Sequence, residues 1–167
     1  GPAGAMALAA ALRRGALPKL DRLCLIDNPI GSQGVTAPAG PLPKQPALKI
    51  LNLCSNPIGG LGVALLTGPL RKLPALEMLF LSWCDIGDDG VASLVADLGK
   101  DDFKALEFLF LNDNKITNKG MTTLLAVLKS GGLPAHKPLS LGWYSILSQG
   151  YALDRAIETA GRAVQDE

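Results

Sequence analysis

One spelling recurs five times along these 167 residues: a strand written L-x-x-L-x-L, a short loop closing on Ile, and a Gly that opens a helix. The copies begin at Leu20, Leu48, Leu76, Leu106 and His136, a period of 28 to 30 residues. Self-similarity at such a period marks a stacked solenoid, in which each unit buries its apolar face only against its neighbours. A solenoid offers a broad sheet surface for gripping another molecule and no deep pocket built for chemistry.

The copies agree wherever a packed interior demands it. Leu23 and Leu25, Leu51 and Leu53, Leu79 and Leu81, Leu109 and Leu111, and Leu139 and Leu141 are spaced by two, so each pair points to one side of its strand and fills an inner row. Beyond each pair come Ile30, Ile58, Ile86, Ile116 or Ile146, then Gly34, Gly62, Gly90, Gly120 or Gly150 at the turn from loop to helix. The ninth position holds Asn28, Asn56, Cys84, Asn114 and Tyr144. An Asn there can bond backbone groups that stacked turns would otherwise leave unsatisfied, and a Cys does so weakly.

These residues resemble the ribonuclease-inhibitor-like subclass of leucine-rich repeats, whose longer unit alternates a strand with a full α-helix. The resemblance covers the whole chain and implies an α/β solenoid: a curved horseshoe with the parallel sheet on the concave side and helices on the convex side. It further implies a role in binding proteins. Residues 1–167 are expected to form a single leucine-rich-repeat domain, with residues 1–19 a partial repeat.

The helices fall in phase with this reading. Leu66 and Leu70, Leu94 and Leu98, and Leu124 and Leu128 lie four and eight residues after the loop Gly, on one stripe facing the sheet. The same count from Gly4 reaches Leu8 and Leu12, so residues 1–14 read as the loop end and helix of an earlier repeat, or, given the Gly1-Pro2 start, as a tag-cleavage remnant. Pro38, Pro41, Pro43 and Pro46 rule out a regular helix in the first full unit and predict an extended or irregular segment. Leu153, Ala156, Ile157, Ala160 and Val164 predict a closing helix.

Composition bounds the rest. No apolar run is long enough to span a membrane, and no membrane partner is expected. Cys24, Cys54 and Cys84 are odd in number and widely spaced, which predicts unpaired thiols and a reducing, cytoplasmic setting. Residues 76–113 are acidic. There Asp85, Asp88, Asp89, Asp97, Asp101 and Asp102 are expected on a solvated outer face, with docking of a basic partner as the alternative. The run Asp85-Ile86-Gly87-Asp88-Asp89-Gly90 lacks the alternating oxygens and terminal Glu of a calcium loop, so no metal and no cofactor is expected.

The residues flanking each buried Leu pair should face the hollow. They are Arg22, Cys24 and Ile26 in the first copy, Ile50, Asn52 and Cys54 in the second, Met78, Phe80 and Ser82 in the third, and Phe108, Phe110 and Asn112 in the fourth. Stacking places Phe80 beside Phe110 and Met78 beside Phe108, with Ile50 before them and Trp83 and Trp143 at the strand exits. An exposed apolar ladder of this kind marks an interaction site. The expected protein-binding residues are therefore Ile50, Met78, Phe80, Trp83, Phe108, Phe110 and Trp143, and the expected partner is another protein. Self-association through uncapped ends is the competing use.

Enzyme readings fare poorly on inventory. His136 is the single His and the nearest Cys is two repeats away, so no Ser-His-acid or Cys-His arrangement is expected, and no catalytic residue is assigned. The concave face lacks a basic stripe for nucleic acid. The expectation is a non-catalytic scaffold, inhibitor or sensor. The alternative is a GTPase activator resembling the Ran-directed member of the same family, for which Arg22 and Arg71, or Arg13 and Arg14, would be the available cations.

Overall fold

The computed structural model describes residues 1–133 and the backbone of a last strand at Ser140–Gly142. His136, Leu139, Trp143, Ile146, Gly150 and the expected closing helix lie outside the described residues. Strands β1 (Arg22–Cys24), β2 (Ile50–Asn52), β3 (Met78–Phe80), β4 (Phe108–Phe110) and β5 (Ser140–Gly142) form one parallel sheet in chain order. Helices α1 (Pro2–Arg13), α4 (Gly59–Arg71), α5 (Asp88–Val95) and α6 (Asn118–Lys129) form the other layer. Between α1 and α4 the same layer is built from two single turns, α2 (Gly31–Gly34) and α3 (Thr36–Ala39), and a 3-10 turn at Leu42–Lys44.

Register follows the leucines. Leu23, Leu51, Leu79 and Leu109 stand opposite one another and are buried, as are Leu53, Leu81 and Leu111. Each repeat adds one strand at about 4.8 Å to the sheet and one helix at about 8–10 Å to the layer behind it, so the stack curves with the sheet inside. The backbone ladder continues past the short strands, from Leu53 N to Phe80 O and from Leu81 N to Phe110 O. The fifth strand departs from the spacing expected. Leu109 pairs with Leu141, not Leu139, which puts the first position of that repeat at 138 by register and not at His136. A slip of two residues leaves the same face of the strand turned inward, so the leucine alternation alone does not distinguish the two registers.

The loop glycines do something other than turn the chain. Gly34, Gly62, Gly90 and Gly120 lie inside the first helical turn and are buried. A Cβ on Gly90 would stand 2.7 Å from Ile86 Cγ2 and 3.2 Å from Gly60 Cα. The glycine is there so that the helix start can close on its own loop Ile and on the repeat before it. The left-handed turn into α2 and α4 is made three residues earlier, by Gly31 and Gly59 at φ of 70° and 64°.

Asn side chains knit the loops as expected. Asn56 Nδ2 donates to Leu25 O, Leu53 O and Cys54 O, and its Oδ1 accepts from Ile30 N. Asn114 repeats this two repeats on, donating to Leu81 O and Leu111 O and accepting from Cys84 N and Ile86 N. Cys84, fully buried, has only its thiol to offer, which donates to Leu53 O at 3.2 Å. Burial pushes that thiol up from 9.0 to about 12.

The proline-rich segment is irregular, as expected, and built from single turns. Pro38 sits in the first turn of α3, where its missing N–H would have had no partner within that turn, and Pro43 sits likewise in the 3-10 turn. Two expectations are corrected by the helical layer, those for Leu98 and Asp102. Leu98 lies beyond the end of α5 at Val95, yet is still half-buried against the core. Asp102 is not on a solvated face: it is buried and accepts from Lys72 Nζ at 2.6 Å and Gly99 N at 3.0 Å, with Arg71 Nη1 at 3.7 Å. Asp88 is also engaged, capping the start of α6 through Thr117 N, Thr117 Oγ1 and Gly120 N. Those hydrogen bonds, the Thr117 hydroxyl first, hold its carboxyl below the usual range.

Candidate protein-binding face

Inward leucines at the fourth and sixth positions of each repeat force the third, fifth and seventh onto the hollow of the sheet. Along the third position the structure places Arg22, Ile50, Met78 and Phe108 side by side, and along the fifth Cys24, Asn52, Phe80 and Phe110. Ile50, Met78, Phe80, Phe108 and Phe110 are all half-buried, so they are neither sealed in the interior nor fully in solvent.

The Phe80 and Phe110 rings stack face to face, 4.4 Å apart and within 3° of parallel. Phe108 lies 6.3 Å from Phe110 at 9°. Such contacts contribute about 0.5–1.5 kcal/mol each beyond the area they bury. They tie the side chains into one platform that loses little freedom when something lands on it. Trp83 stands at the edge of this platform, 62% exposed. Trp143, its expected counterpart, lies outside the described residues.

Trp83 is unusual in its backbone as well. It sits at φ 58°, in the left-handed region, as do its stacking equivalents Asp27, Ser55 and Asp113 at 55°, 58° and 54°. Asp visits that region more readily than most residues, whereas a bulky side chain there is an outlier. The conformation is held by Trp83 N donating to Asn112 O at 3.1 Å, one rung of the inter-repeat ladder. Sequence reasoning placed Trp83 at the strand exit but missed its strain. Aligning it with Asp27, Ser55 and Asp113 was the signal available.

Two rows of charge border the platform. One residue before the strands lie Asp21, Lys49, Glu77 and Glu107, with Lys49 Nζ 3.3 Å from Glu77 Oε1. At the opposite border Lys115 Nζ pairs with Asp85 Oδ1 at 3.2 Å, next to Asp113. Arg22 is exposed on β1, while Cys24 is exposed and Cys54 half-buried, both as free thiols. Arg71 is committed elsewhere: its Nη2 donates to Ala96 O at 3.0 Å beside Asp102. No group of three or more His, Cys, Asp or Glu that could hold a metal occurs among the described residues, nor any helix long and apolar enough to cross a membrane.

Comparison with known proteins agrees with this architecture. A family model described as a leucine-rich repeat matches residues 76–95, the third repeat from Leu76 to the end of α5. This is a leucine-rich-repeat fold. Among solved structures, actin-binding site 2 of leiomodin-1 superposes with a TM-score of 0.71 at 12% identity, over 95% of this chain and 89% of that one. The C-terminal domain of tropomodulin from Caenorhabditis elegans gives 0.70 at 10% identity, over 96% and 95%. At such identities the likeness is one of fold. No curated protein matches the sequence.

Proposed function

We propose that these leucine-rich repeats form a non-catalytic protein-recognition module that holds its partner against the concave platform of Ile50, Met78, Phe80, Phe108 and Phe110, with Trp83 as an anchor at the rim. The observation that carries this reading is the stacked Phe80–Phe110 pair left half-open on the hollow, beside a Trp that is 62% exposed in a strained turn. Aromatic side chains presented with little freedom to lose are what interface hot spots are made of. Strain retained at an exposed aromatic is more readily understood as serving a contact than as serving the fold.

The full helices α4 and α6 behind short strands favour the ribonuclease-inhibitor-like type of repeat. Free thiols at Cys24, Cys54 and Cys84 suit a cytoplasmic setting. The GTPase-activator alternative loses Arg71 as a free cation, since it is tied to Ala96 O and Asp102. The likeness to a leiomodin-1 site described as actin-binding makes actin one rational probe, on the strength of fold only.

The test compares three proteins as baits: wild type, F80D/F110D on the concave face, and L61D/L65D on the outer face of α4, where both leucines are exposed. Circular dichroism verifies that each variant is folded. Quantitative mass spectrometry of captured proteins, with purified actin assayed separately, should show partners lost from F80D/F110D alone. Equal capture by all three would discard the concave site.

A further inference from the structure

Independently of the concave platform, we infer that the open edge of β1 takes an extended segment of another protein, added to the sheet as a parallel strand of the spelling Leu-Lys-Glu-Leu-x-Leu. The sheet begins at β1, which pairs with β2 alone. In β2 the third and fifth positions of the repeat bond the repeat before: Ile50 N donates to Asp21 O at 3.0 Å, and Asn52 O accepts from Leu25 N at 2.8 Å. In β3, Met78 N and Phe80 O do the same. Their equivalents in β1, Arg22 and Cys24, are exposed and turn these backbone groups outward, with no strand beyond them among the described residues. The helical layer runs one step further than the sheet. A Cβ on Gly34 would stand 3.7 Å from Pro2 Cα, as one on Gly62 would stand 3.4 Å from Ser32 Cα and one on Gly90 3.2 Å from Gly60 Cα. So α1 stacks on α2 as α2 stacks on α4, and it overhangs a notch beside β1 that is the place of one strand.

The notch is walled by apolar side chains that the later repeats seal. Leu8, Leu20 and Leu25 are only partly buried, whereas the equivalent Leu66, Leu48 and Leu53 are buried. Leu17 is 38% exposed, while its equivalents Leu73 and Phe103 are 1% exposed. What seals these positions elsewhere is the preceding repeat, so an added strand continues the interface by which each repeat holds the next. Its three leucines would stand beside Leu20, Leu23 and Leu25, at the strand spacing of about 4.8 Å. Charge sets two of the remaining letters. Lys49 Nζ lies 3.3 Å from Glu77 Oε1, so residues just before neighbouring strands reach one another. In the first repeat Asp21 holds that place and Arg22 the next, both exposed and outside every ion pair of the described residues. A Lys beside Asp21 and a Glu beside Arg22 complete both rows. Laid antiparallel, the same segment carries its charges to the far end of β1, so the two charges fix direction as well as register.

The test uses fluorescein-labelled peptides of about 10 residues, the upper length of an ordinary strand. The first carries Leu-Lys-Glu-Leu-Ser-Leu between Gly-Ser flanks, the second exchanges its Lys and Glu, and the third has Ser in place of the last two Leu. Anisotropy should show the first bound tightest, the second about three- to thirtyfold more weakly, and the third not at all. R22E should lose affinity for the first peptide and prefer a fourth, in which Lys replaces the Glu. C24P removes an outward N–H that no strand of this sheet uses, a change an edge tolerates, and should abolish binding with the circular dichroism spectrum unchanged. F80D/F110D should bind the first peptide as wild type does. Equal binding of the first two peptides, no binding of the first, or an R22E that keeps the wild-type preference overturns the inference. Loss of binding in F80D/F110D puts the peptide on the concave face and overturns it as well. A wild type that sediments as a dimer while C24P sediments as a monomer assigns the edge to a second copy of this chain, and is equally fatal.

Discussion

Cys84 is the weak rung of the Asn ladder, and replacing it by Asn should stabilise the stack. In the flanking rungs the side-chain oxygen at the ninth position accepts from the loop Ile of the repeat before, Ile30 N for Asn56 and Ile86 N for Asn114. The corresponding Ile58 N bonds Asn56 O two residues back, as Ile30 N bonds Asn28 O, while Cys84 at the ninth position offers it only a thiol, a poor acceptor. C84N supplies the acceptor and replaces a weak S–H donor with an amide. A net gain of one good buried hydrogen bond contributes about 1 kcal/mol, or roughly 2–4 °C in Tm at this chain length. A second signature separates this mechanism from general tightening. Because burial raises the folded thiol from 9.0 to about 12, the folded chain binds more protons than the unfolded one between those values. The stability due to Cys84 is therefore complete below pH 9 and falls as pH rises toward 12, by up to about 1.4 kcal/mol per pH unit. Urea unfolding under reducing conditions at pH 8 and pH 10 should show the advantage of C84N widening from about 1 to about 2 kcal/mol. A constant difference refutes the titration argument, and a C84N less stable than wild type at pH 8 refutes the ladder argument.

The loop glycines predict opposite outcomes for one substitution at two sites. G90A should destabilise by about 1–3 kcal/mol, because the new Cβ meets Ile86 and the Gly60 backbone, whereas G4A, with nothing near its Cβ in α1, should stabilise by about 0.5–1 kcal/mol. Thermal melts of the two variants check both signs. For Asp102, the Lys72 hydrogen bond, then Gly99 N, hold the carboxyl below its ordinary value, so its contribution is present above the usual carboxylate range and is lost as pH falls through the lowered value. D102N should melt lower than wild type at pH 7, with the gap narrowing on acidification toward pH 3. A gap that stays constant would mean that the carboxylate charge is not what Asp102 contributes.

What could be read from the letters was whatever the stacking repeats. Leu51, Leu79 and Leu109 are interchangeable in their surroundings, so the pattern predicts them, the neighbours they carry onto the concave face, and therefore Phe80 beside Phe110. What could not be read was whatever happens once. Asp102 looked like its exposed neighbours because its donors come from Lys72 and Gly99, far away or at a loop close made by no other repeat. The proline segment was legible as irregular, but its single turns were not, because such turns tolerate a Pro in their first residues, which a rule for helix interiors does not cover. Trp83 belongs to both classes, and that is why it matters. The repeat dictates its left-handed turn, shared by Asp27, Ser55 and Asp113, while the bulky side chain placed there is one of a kind among the four. Trp83 keeps that turn with its ring 62% exposed, which is why the proposed partner contact includes it as the rim anchor.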